Sequence, residues 1–176
     1  MGKKFYRGET VPSSPAQTMR FGTQNTLRDT KEVGKFVKLS GDSGCVLCAL
    51  GDPIDGRISS VDAAPADGYT IVGVQRRDDM IVTADGSQAA GTGNLAVGDY
   101  VVCGTVVAEG TALPATGTTL AKVRKATAQP TAGADVAGIN AALTYMLGGA
   151  WKVVSLLGGN GSPGTNVLIE RAFLAN

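Results

Sequence analysis

The chain reads as a succession of short apolar runs cut by turn residues. Period-two alternation and brief continuous apolar stretches dominate, and one segment has helical spacing. Runs at 35–39, 44–50, 57–61, 69–75, 80–84, 100–107, 120–125, 151–157 and 166–174 predict strands, Val- and Ile-rich and bounded by Gly, Asp and Pro. The turns between them carry their own chemistry. Pro53 fixes a bend between Asp52 and Asp55, and Asp67-Gly68 is a hairpin pair. Gly104, inside an apolar run, predicts a bulge or a barrel corner.

The exception lies near 135–147. Asp135 is a candidate N-cap, Val136, Ile139, Ala142, Leu143, Met146 and Leu147 share one helical face, and Gly148 follows as a stop. Residues 1–34 show neither period. With Pro12 and Pro15 among scattered charges, they predict an extended arm that orders only where something grips it. The expected fold is therefore mainly β. It is a small barrel or sandwich over 35–176 with one short helix, preceded by an extended N-terminal arm, and no internal repeat is visible.

Composition sharpens this picture in two ways. Glycine fills 25 of 176 positions, about twice its usual share, as many tight turns require. Charge is unevenly spread although the net is only +1. Residues 1–38 carry eight Lys and Arg against three acidic side chains, while 39–176 carry eight against twelve. A basic leader on an acidic body suits docking on an acidic surface, a second copy or nucleic acid. Lys3, Lys4, Phe5, Tyr6, Arg7, Arg20 and Phe21 are the candidate binding residues, because they combine cations with apolar anchors.

Candidate chemistry is sparse. The chain has no histidine, the side chain most used for proton transfer near neutrality and the commonest metal ligand. Cys45-x-x-Cys48 lies in a strand-like run where positions three apart point to opposite faces, so the pair reads as structural rather than as a redox or zinc motif. Gly91-x-Gly93-x-x-Ala96 lacks the following helix that a dinucleotide-binding turn needs. No Gly-x-Ser-x-Gly elbow and no calcium-loop spacing occurs. The expectation is a non-enzyme without catalytic residues, metal or cofactor. Three cysteines imply no disulfide framework, Lys3-Lys4 leads into no apolar signal segment, and no run approaches membrane-spanning length. Synthesis in a reducing cytoplasm and no membrane partner are expected.

Two stretches carry a resemblance. Gly51-Asp-Pro-Ile-Asp-Gly-Arg-Ile-Ser-Ser-Val-Asp62, continued by Asp67-Gly-Tyr69 and Gly73-Val-Gln75, and Trp151-Lys-Val-Val-Ser-Leu-Leu-Gly158 resemble the capsid decoration, or cement, proteins of tailed bacteriophages. The likeness spans most of the chain from about residue 35. It implies a β-rich virion protein on the outer surface of the capsid, partnered by the major capsid protein and by copies of itself. A trimer at local threefold positions would be favoured, reinforcing the head. A nucleic-acid-binding barrel, for which only the leader has suitable residues, and another phage component (major capsid or tail protein) are the alternatives.

Overall fold

A computed structural model describes residues 17–22, 30–41, 44–62, 70–76, 79–88, 91–113, 120–126 and 150–172. Ten strands run through them in two closed five-stranded barrels. The first barrel holds β1 (Gln17–Phe21), β2 (Phe36–Ser40), β3 (Gly44–Leu47), β4 (Gly56–Asp62) and β5 (Thr70–Gln75), ordered β1-β3-β2-β4-β5. The second holds β6 (Met80–Ala84), β7 (Tyr100–Cys103), β8 (Lys122–Lys125), β9 (Trp151–Ser155) and β10 (Asn166–Arg171), ordered β10-β6-β8-β7-β9. The strand expected at 69–75 is observed as β5, in which Thr70, Val72 and Val74 point inward while Ile71, Gly73 and Gln75 are half-buried.

The expected arm is corrected by β1. Met19 and Phe21 face the first barrel's interior beside Val37, Cys45, Ile58, Val72 and Val74. β1 pairs antiparallel with β5 over its whole length and parallel with β3 at Arg20 and Phe21. Without β1 the barrel cannot close, since β3 and β5 would each be left with an open edge. Further along the same leader, a 3₁₀ turn at Thr30–Glu32 carries the fully buried Glu32. Residues 1–16 and the expected helix at 135–147 lie outside the described residues. Among those described, the 3₁₀ turn is the only helical element.

The two barrels repeat one another in topology and in register, a repeat that inspection of the sequence misses. In each, the first strand runs parallel to the third, and all other pairs are antiparallel. Phe36 pairs with Arg57 as Tyr100 pairs with Lys152, and Leu39 pairs with Cys45 as Cys103 pairs with Val123. Local hydrogen bonds repeat too. Gly34 N–H donates to Ile58 O as Gly98 N–H donates to Val153 O, both at 2.8 Å. Cys48 N–H donates to Phe36 O as Ala126 N–H donates to Tyr100 O. Both glycines sit at positive φ (+90° and +97°), where a side chain is strained. Val33-Gly-Lys-Phe-Val37 and Val97-Gly-Asp-Tyr-Val101 are the sequence trace of this shared turn.

The halves differ in their connections. Residues 41–43 join β2 to β3, whereas 104–121 join the equivalent β7 to β8. The first part of that longer connection leaves its own barrel and lies on the other, which is what creates the junction described next.

Candidate functional site: the junction between the barrels

Three sets of contacts fix one barrel on the other. The first is a buried ion pair. Lys35 Nζ lies 2.8 Å from Glu32 Oε2, and both side chains are almost wholly out of solvent. A buried pair of this kind is stabilising only if its remaining hydrogen-bonding capacity is also used. The long β7–β8 connection meets that need: Ala108 O accepts from Lys35 Nζ at 2.8 Å, and Gly110 N–H donates to Glu32 Oε1 at 2.6 Å.

The second set surrounds Trp151, the only tryptophan, which is fully buried. Its Nε1–H donates to Ile54 O at 3.1 Å, and the Arg171 guanidinium lies over its ring, 5.8 Å from the centroid. Arg171 also donates to the backbone oxygens of Asp55 and Arg76, at 2.9 and 2.8 Å. Asp55 Oδ1 in turn accepts from Arg76 at 2.5 Å. Arg76 and Arg171 are equivalent in the repeat, each following the last inward residue of its barrel's fifth strand. The two copies of one position thus converge on Asp55.

The third set is the 51–52 turn, held by the end of β7. Gly51 N–H donates to Cys103 O at 2.8 Å and Cys103 N–H to Asp52 O at 2.9 Å. Phe36, Cys48 and Ile54 accordingly belong to the same apolar cluster as the second barrel's interior. Between the barrels, under the β7–β8 connection, lies a cleft of about 190 Å³. Phe36, Leu47 and Cys48 line it from one side, Cys103, Leu120 and Ala121 from the other, and the exposed Thr105 and Val106 stand at its rim.

Ionisable groups around this junction are engaged structurally. Asp85 Oδ2 accepts from Thr105 N–H and Oγ1–H at 2.5 and 2.7 Å, and Lys125 pairs with Asp99 at 2.6 Å. Burial works to raise the Asp52 carboxyl's pKa. The hydrogen bond from Lys38, 2.7 Å away, and the Ala49 N–H outweigh it, so the pKa falls below the ordinary value. Burial pushes the Cys45 thiol up to about 12. Cys48 is raised further, first by its hydrogen bond with Cys103 and then by burial.

The sequence-predicted binding residues are not brought together. Lys3, Lys4, Phe5, Tyr6 and Arg7 lie outside the described residues. Arg20 is exposed on β1, while its neighbour Phe21 is a core residue and not a docking anchor. Cys45 and Cys48 do point to opposite sides, as their spacing predicts: Cys45 joins the first barrel's core and Cys48 the junction. No three potential metal ligands cluster among the described residues, and none of their helices is long and apolar enough to cross a membrane. No protein-family model matches the chain, and neither a curated protein nor a solved structure does.

Proposed function

We propose that this chain is a structural virion protein that binds the outer face of a phage capsid and stabilises the head, with the basic segment before β1 as its docking element. The observation that carries the reading is the junction itself. A buried ion pair capped by the other barrel's connection, together with a shared apolar cluster, joins two closed barrels into one body, spending ionisable groups on rigidity. Such a body resists deformation and presents no open strand edge of either described sheet. The cationic and aromatic residues Lys3 to Arg7 precede it in sequence and would supply attachment by charge and apolar anchoring. Repetition over a lattice of capsid proteins makes weak individual contacts effective, and self-association, with a trimer favoured, adds to them.

The test is co-sedimentation of the purified chain with expanded capsids that lack it. Full-length chain is expected to pellet with the capsids, and a variant lacking residues 2–16 to fold but bind at least tenfold more weakly. The deletion stops at 16 because β1 begins at Gln17. Undiminished binding by the shortened chain overturns the role of the leader. Failure of the full chain to pellet, together with a salt-sensitive gel shift on single-stranded nucleic acid, replaces the capsid reading with the nucleic-acid one.

A further inference from the structure

We propose that Cys48 and Cys103 form an oxidative cross-link site: a disulfide joining their two sulfurs would tie the first barrel covalently to the second. The two residues come from different barrels, at the ends of β3 and β7, and line the same cleft. Their backbones are held by hydrogen bonds, and Cys103 is also paired with Val123 in the sheet. Cys48 N–H donates to Phe36 O, and Cys103 is bonded through both N–H and C=O to the 51–52 turn. Both side chains belong to one buried apolar cluster, and the Cys48 thiol reaches Pro53 O at 3.7 Å, next to the 51–52 turn that holds Cys103. Cys45 offers an internal control, being buried in the separate core of the first barrel. No third ligand completes a metal site with the pair among the described residues.

The chemistry needs an oxidant, and a small disulfide entering the cleft supplies it. One protein thiolate attacks a sulfur of the reagent, giving a mixed disulfide and releasing one small thiolate. The second protein thiolate then displaces the other half. The protein gives up two protons and two electrons, and the reagent is reduced to two thiols. Because thiolate is the attacking species and Cys48 holds its proton tightly, cross-linking accelerates as pH rises. A reducing cytoplasm keeps the pair open, and an oxidising exterior closes it. None of this depends on what the chain binds.

The full-length chain is treated at pH 8.5 with bis(2-hydroxyethyl) disulfide, denatured in excess maleimide, and digested without reduction. The expected product has lost 2 Da, carries one maleimide, and joins the peptide containing Cys48 to that containing Cys103. Cys45→Ala leaves the link intact, and Cys48→Ala and Cys103→Ala each abolish it. Constraining the long loop between the two residues raises the thermal midpoint by about 10 °C over the reduced chain, and neither single variant shows the rise. Three maleimides per treated chain, or a link through Cys45, overturns the proposal. Should a variant fail to fold, the mass and peptide map of the unsubstituted chain decide alone.

Discussion

Glu32 concentrates the physics of the junction in one side chain. Its carboxylate is fully buried, paired with Lys35 and capped by Gly110 N–H from the other barrel. Glu32→Gln keeps the shape but leaves Lys35 as a buried cation without its counter-charge. A loss of about 3 kcal/mol is expected, read as a lower denaturant midpoint at unchanged slope. A loss below about 0.5 kcal/mol, the size typical of surface sites, would mean that the pair is not holding the connection. Asp52 makes a contrasting case because Lys38 and Asp52 are partly exposed. Its depressed pKa adds stability above its unfolded value, lost as pH falls through the lower folded one. Solvent screening keeps the contribution small. Asp52→Asn should flatten the acid limb of the stability profile only slightly, below about pH 4.

Among elements, the repeated turn before β2 and β7 offers a matched pair of mutations. Gly34 and Gly98 share the left-handed backbone conformation, but an added Cβ meets open space at Gly98 and would sit 2.9 Å from Leu113 Cδ1 at Gly34. Gly98→Ala is expected to cost about 1 kcal/mol for the backbone alone. Gly34→Ala should cost slightly more in the same urea titration, because the end of the Leu113 side chain must turn away. Equal costs would show that Leu113 does not bear on that turn. Most strands after Gly34 were legible because turn residues bound short apolar runs, as around Thr70–Gln75. β1 was not. Met19 and Phe21 do alternate with Thr18 and Arg20, but the run is short and follows two prolines, and its partners β3 and β5 are distant in sequence. The repeat was masked for a related reason. Spacing between equivalent positions grows from Phe36 and Tyr100, through Cys45 and Val123, to Ile58 and Val153, so no fixed period exists to detect. The Cys48–Cys103 pair and the convergence of Arg76 and Arg171 on Asp55 arise only from packing, and no local motif announces either.

At the scale of the whole molecule, the junction predicts how the protein comes apart. Phe36, Cys48 and Ile54 pack with the second barrel's interior, and Trp151 is bonded to the first barrel's 54–55 turn. Neither barrel keeps its full set of buried groups satisfied alone. Calorimetry should therefore show one transition with equal calorimetric and van't Hoff enthalpies. Two separated transitions would reveal independent barrels joined only by their linker.

The ribosome meets that shared surface in a fixed order. All five strands of the first barrel lie before residue 76, so it can close while the second is still being made. At roughly 5–20 residues per second, the nascent chain then waits several seconds with Phe36 and Ile54 uncovered and the Glu32–Lys35 pair lacking its lid. The stickiest moment falls between the synthesis of the first barrel and that of the second.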